Sequence, residues 1–183
     1  MLAEHDISLL GEPSLQSRHM AGLNLSTRQM HVWCELLGLG GEDRQEGKWR
    51  GFAPLDAIVL YVMRDIKART NVALAKQDNL IKFLGDPGRF GGPAFHMWTQ
   101  AKTPILVTDC GEKHDLLEAS GGFIPLSPDA FKPLLVMLNL EPSLESVITS
   151  TLAGGTEQQK ALIHRMMGRR EAAFDAISLA GSK

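Results

Sequence analysis

Cysteine is scarce in this chain. Cys34 and Cys110 are the only two in 183 residues, and their spacing forms no pattern. That argues against a disulfide framework and suits a reducing compartment. Long apolar runs are also lacking. No stretch approaches the ~20 residues a membrane-spanning helix needs. The N-terminus carries Glu4 and Asp6 where a signal peptide would have a basic flank followed by an apolar core. Both absences point to a cytoplasmic setting without a membrane partner. Nor does charge of one sign dominate, since the formal net charge is −2. A nucleic-acid partner would therefore need a locally basic face, because phosphate contacts supply most non-specific affinity. No repeat of solenoid period is visible.

What is present is an ordinary globular composition, with 44% apolar and 22% charged residues, enough to bury a core in one large domain or two small ones. Residues 1–12 read as loosely ordered. Pro13 suits the first turn of a helix over Ser14–Ala21, ended by Gly22. Ser26 is a good N-cap for a second helix reaching Leu37. Met30, Trp33 and Leu37 recur at helical spacing on its inner face, and Gly38 stops it. A polar turn over residues 42–47 leads into a short strand, Lys48–Phe52. Pro54 opens a third helix whose dense apolar face, including Ile58, Leu60, Val62 and Ile66, implies packing on both sides. A fourth helix is expected over Val72–Leu84. The glycines and prolines of residues 85–93 read as a linker or long exposed loop.

The period then changes. Pro104–Thr108, His114–Ala119, Phe123–Leu126 and Leu134–Leu140 are strand candidates, although an apolar run like the last also fits a helix. A short helix over Leu144–Leu152 follows. Thr156 caps a final helix to about Leu179, with Leu162, Ile163, Met166, Met167, Phe174 and Ile177 along one broad stripe.

A helix-turn-helix reads DNA with the N-terminal residues of its second helix. Here those residues are Ser26, Thr27, Arg28, Gln29 and His31, all able to hydrogen bond. Arg and Gln pair bidentately with guanine and adenine edges, and a helix start offers oriented amides to phosphate. The bland alternative is a simple cap with a solvated face. The segment that follows adds Arg44 in the turn and Lys48 and Arg50 flanking Trp49. That is a basic hairpin suited to an adjacent backbone or minor groove, with Trp49 and Phe52 as packing aromatics.

The run Trp49-Arg50-Gly51-Phe52-Ala53-Pro54-Leu55-Asp56, preceded by Trp33 in the helix, resembles the winged-helix DNA-binding domain of the MerR family of transcription regulators over about residues 15–84. Four departures stand beside the likeness, one being that Val32-Trp33 replaces the family's tyrosine pair. His31 occupies the place of the family's usual arginine. Glu42, Asp43 and Glu46 dilute the wing's charge. The glycine-proline run stands where the family has a long dimerising helix.

The resemblance implies an N-terminal winged helix-turn-helix over residues 13–84; with a linker over 85–93 and a small strand-containing module over 94–183 that ends in a helix, as the residues themselves read, the chain is expected to be α+β. Its expected function is sequence-specific duplex DNA binding in transcriptional regulation, as a homodimer. The DNA-contacting set is Ser26, Thr27, Arg28, Gln29, His31, Arg44, Lys48, Trp49 and Arg50. The alternatives are a protein-interaction or assembly module that keeps the winged-helix shape, or a small-molecule sensor using the C-terminal part.

No enzyme activity, cofactor or metal is expected. Asp109-Cys110-Gly111-Glu112-Lys113-His114 gathers a thiol, carboxylates and an imidazole, but no second Cys/His pair at ligand spacing follows. Residues 85–92 lack the Gly-Lys-Ser/Thr ending of a phosphate loop. The final helix, with His164, Arg165, Arg169 and Arg170, fits dimerisation, packing on its own domain, or a basic tail on DNA.

Overall fold

A computed structural model describes residues 2–20, 22–39, 51–70, 77–110, 112–119 and 136–180, with the side chains of Thr27 and His31 outside that description. Among these residues the chain is α+β. Seven α-helices surround a three-stranded antiparallel sheet of order β2-β1-β3. The helices are α1 (Glu4–Leu10), α2 (Thr27–Leu37), α3 (Pro54–Thr70), α4 (Asp78–Leu84), α5 (Gly91–Thr99), α6 (Glu141–Gly154) and α7 (Glu157–Ala180). The strands are β1 (Thr103–Thr108), β2 (His114–Ala119) and β3 (Val136–Asn139).

The N-terminus departs from expectation. Residues 4–10 form a helix, with Asp6, Leu9 and Leu10 buried. Glu4 and Asp6 lie in its first turn, where the helix dipole favours negative charge. The helix is held from afar: Gln159 donates through Nε2 to the carbonyls of Leu9 and Glu12, both at 2.9 Å. The helix expected over 14–21 shrinks to a single 3-10 turn, Ser17–His19. Leu15 is taken instead by an antiparallel bridge to Phe52, with N–H···O distances of 2.9 and 2.8 Å. A bridge to a residue so distant in sequence leaves no trace in the local period.

Helix α3 is the central element. Ten of its residues are buried, from Pro54 to Ile66. This meets the expectation of packing on both sides, and a helix buried on most of its circumference must lie inside the body. Its start is held by Asp56, whose Oδ2 accepts the Ala53 N–H at 3.0 Å, a reach back from the third helical position to the cap. Helix α6 lies alongside it. The Tyr61 hydroxyl stands 3.5 Å from Ser150 Oγ, and Ser143 Oγ donates to Asp65 at 3.4 Å.

The run 85–93 corrects the linker expectation. Asp86 Oδ1 accepts the amides of Gly88 and Arg89 at 2.9 and 3.3 Å, which closes a tight turn. Phe90 is fully buried, and Gly91 already begins α5. Its glycine content reflects close approach: a Cβ at Gly91 would stand 2.7 Å from Leu55 Cδ2, and one at Gly92 2.9 Å from the Pro87 carbonyl. A single contiguous hydrophobic cluster extends from Leu2 to Met166.

The fourth helix is shorter than expected, Asp78–Leu84; residues 72–76 lie outside the described set. Strand β1 occupies the sheet centre with its residues almost wholly buried. It pairs with β2 from Thr103↔Ala119 to Thr108↔His114 and with β3 from Ile105↔Asn139 to Thr108↔Val136. The candidate strand Phe123–Leu126, with Leu134 and Leu135, falls outside the described residues. Glu141–Gly154 begins earlier than the expected short helix, with Pro142 in its first turn. Thr156 caps α7 as anticipated: its Oγ1 accepts the Gln159 N–H at 3.2 Å, while Gln159 Oε1 accepts the Thr156 N–H at 3.0 Å. Among the described residues no helix is long and apolar enough to cross a membrane.

Candidate nucleic-acid interface

Helix α2 is built as its sequence suggests. Ser26 Oγ accepts the Gln29 N–H at 3.2 Å, and the Ser26 N–H donates to Gln29 Oε1 at 2.9 Å. These reciprocal bonds satisfy two groups that a helix start otherwise leaves open. At the other end Gly38 takes a left-handed φ of 64°, a conformation that glycine adopts without a Cβ penalty. Met30, Trp33, Cys34 and Leu37 are buried, so one face of the helix is fixed to the core.

The opposite face carries Arg28, Gln29, Val32 and Glu35, all exposed. Arg28 is the exposed cation of the first turn. Gln29 is differently disposed. Besides the Ser26 N–H, its Oε1 accepts the Ser26 hydroxyl at 2.9 Å, so the side chain folds back onto the cap. Presenting that amide to an adenine edge requires opening the capping box. Ser26 likewise serves the helix first. Thr27 and His31 are located by backbone alone, at the first and fifth helical positions. Arg44, Lys48, Trp49 and Arg50, the wing of the sequence argument, lie outside the described residues.

The arrangement also includes residues that sequence reasoning did not single out. Arg64, on α3, donates through Nη1 to the Gly22 carbonyl at 2.5 Å, just ahead of α2. Its other nitrogens engage the Asp65 carboxylate at 2.7–2.8 Å, and its guanidinium lies 5.2 Å from the Tyr61 ring centroid. One turn on, the Lys67 ammonium stands 5.8 Å from the centre of the Trp33 ring. The i, i+3 spacing of Arg64 and Lys67 was the available signal, since it places both on one side of α3. Lys67 and Arg69, both exposed, also lie in the last turn of α3, where the helix dipole favours positive charge.

The alternative chemistries find less. Cys34 and Cys110 are buried thiols outside any disulfide. Burial pushes the Cys110 thiol up from its ordinary value, against a smaller opposing effect of its hydrogen bond with Thr108. The thiolate needed for nucleophilic chemistry is thereby disfavoured at neutral pH. His114 Nδ1 is 2.8 Å from Thr108 Oγ1, which also accepts the Cys110 N–H at 2.9 Å, so this turn is knitted within itself. Among the described residues no three His, Cys, Asp or Glu side chains are placed to share a metal ion. A cavity of about 140 Å³ lies between the start of α3 and the 85–91 turn, lined by Leu39, Leu55, Asp56, Val59, Leu84 and Gly91 among others. That is below the ~300 Å³ at which small-molecule pockets commonly start; within residues 94–183 an open recess of about 380 Å³ lies along α6, lined by Pro142, Glu145, Ser146 and Thr149.

No protein-family model, curated protein or solved structure was found to match the chain.

Proposed function

We propose that this chain binds duplex DNA as a transcriptional regulator, through a MerR-like winged-helix arrangement over residues 13–84 in which the single turn Ser17–His19 stands where a helix-turn-helix has its first helix. The observation that carries the reading is the disposition of α2. Its N-terminus is capped and faces solvent with Arg28, while its opposite face is anchored through Trp33 beside Lys67 of α3. A helix held on one side and open at its N-terminal residues is the geometry that enters a major groove.

Charge distribution supports it. Residues 13–84 hold ten Lys and Arg against seven Asp and Glu, whereas the rest of the chain holds nine against fourteen. The overall charge of −2 thus conceals a basic N-terminal part. In this reading Arg28, Gln29 and His31 face bases, with Gln29 released from its cap on binding. Thr27 and Trp49 border the contact, and Ser26, Arg44, Lys48 and Arg50 face phosphates. The protein acts as a cytoplasmic homodimer on a two-fold-symmetric site. Binding to a generic duplex is expected to weaken steeply as salt rises, and Arg50→Ala to lower affinity on every sequence while reducing the salt slope by about one. Absence of binding at low salt contradicts the proposal.

A second reading, a protein-interaction module of the same shape, draws on the outer face of α2. That face mixes Arg28 with Glu35 and an exposed Val32 rather than presenting continuous positive charge. Salt-insensitive binding to a protein partner, with no DNA affinity, distinguishes it.

A further inference from the structure

Arg64 is a cation just beside the start of α2, and its side chain is 30% exposed. A cation in that place can serve a phosphate or brace the neighbouring helix. The bonds it makes decide between the two. Nη1 donates to the Gly22 carbonyl at 2.5 Å. Nε and Nη2 lie 2.8 and 2.7 Å from Asp65 Oδ1. The other oxygen of that carboxylate, Oδ2, accepts from Ser143 Oγ of α6 at 3.4 Å. The guanidinium also lies 5.2 Å from the Tyr61 ring centroid. Each of its three nitrogens is thus engaged, and every acceptor belongs to the chain itself.

The segment that Arg64 holds has little support of its own. Gly22 and Asn24 both take left-handed backbone, with φ of 76° and 50°, a conformation that glycine adopts freely and asparagine only at a cost. The backbone bond across this turn, from the Leu23 N–H to the Met20 carbonyl, is long at 3.4 Å. Leu23 is buried and pins the turn to the core at one point. One apolar point fixes a position, and a second is needed to fix a direction. The charge-assisted bond to Gly22 is that second point, four residues ahead of the Ser26 cap.

We propose that Arg64 is a positioning residue and not a DNA contact: it sets the angle at which the first turn of α2 leaves the 22–25 turn, and ties that angle to α6 through Asp65 and Ser143. Its consequence for recognition rests on the DNA reading above, whereas the brace itself does not. A phosphate would have to draw the guanidinium away from Gly22 and Asp65 together, and α2 would lose its support in the act of binding. The planar fork of arginine reaches both acceptors at once, which the single ammonium of a lysine does not.

Backbone amide relaxation by NMR on the full chain, without DNA, is the first test. In the native chain Leu23–Arg28 should show order parameters close to those of α3, about 0.85. Arg64→Gln, and Arg64→Lys, which keeps the charge, should each lower them toward ~0.6 while Ile58–Met63 stay unchanged. The second test is the salt dependence of binding to a short duplex of mixed sequence. Both variants should bind about 3- to 10-fold more weakly, because the loosened turn must then be ordered on binding, with the salt slope of the native chain retained. A slope lower by about one in Arg64→Gln would make Arg64 a phosphate contact and overturn the proposal. Order parameters unmoved in both variants would overturn it as well. A native chain with no affinity for duplex contradicts the DNA reading alone, and the relaxation measurement then decides the brace by itself.

Discussion

Helices α2 and α3 touch where Lys67 meets Trp33, and their sequences differ in what they bury. Helix α3 is buried from Pro54 to Met63 except at Asp56 and again at Ile66, with Ile58, Leu60, Tyr61, Val62 and Met63 inaccessible to solvent. It has no face left with which to meet a partner except its last turn. Helix α2 buries Met30, Trp33, Cys34 and Leu37 and leaves Arg28, Gln29, Val32 and Glu35 outside. The contrast teaches that the buried helix is committed to the core, while the half-buried one keeps an outer face, the face that the proposed DNA reading uses. The link between them is narrow: Lys67 against the Trp33 ring, and Arg64 against the carbonyl of Gly22.

The largest effect that should separate the two helices is on stability. Leu60→Ala removes a wholly buried side chain from α3 and should cost about 2–5 kcal/mol in denaturant titration. Val32→Ala, at a side chain 46% exposed on the outer face of α2, should stay within ~0.5 kcal/mol. Equal losses would mean that Val32 is covered in solution. Next in size is the cap. Ser26→Ala removes the acceptor for the Gln29 amide and should cost about 1 kcal/mol. Amide exchange should accelerate in the first turn of α2 while α3 remains protected. Acceleration in both helices would show that they open as one unit.

Smallest is a pH effect at His96, which is far from both helices in sequence. Burial lowers its pKa from the ordinary 6.5, and nearby positive charges including Lys102 and Arg169 add to this. The folded chain therefore binds this proton less readily than the unfolded one. The contribution to stability is complete above pH 6.5 and is lost as pH falls toward the folded value. Melting between pH 7.5 and 5.5 should show a decrease of about 2 °C or less that His96→Gln removes. An unchanged decrease in the variant would assign it to other groups.

Much of this architecture was readable from residues alone where the cause is local. Ser26 and Gln29 are three apart, and their capping box follows. Gly38 ends α2, Pro54 and Asp56 start α3, and Thr156 and Gln159 start α7. What escaped depends on contacts distant in sequence. Acidic Glu4 and Asp6 concealed a helix that Gln159 holds from 150 residues away. Leu15 left its expected helix for a bridge to Phe52. The glycines at 91 and 92 read as chain flexibility, whereas they admit Leu55 and the Pro87 carbonyl at short range. The same limit applied at the candidate interface. Arg28 was legible as an exposed cation on a capped helix, but the inward fold of Gln29 and the support from Arg64 and Lys67 depend on packing that no local period encodes.

The central claim is that the N-terminal turns of α2 are the reading surface, held in place by α3. Backbone amide shifts recorded while a short duplex is titrated into the full chain at low salt test it most directly. The account predicts that the largest changes fall at Thr27–Val32, with Ile58–Met63 of α3 nearly still and the α2 changes lost when salt is raised. Changes confined to α7, or no changes anywhere at saturating duplex, would contradict it.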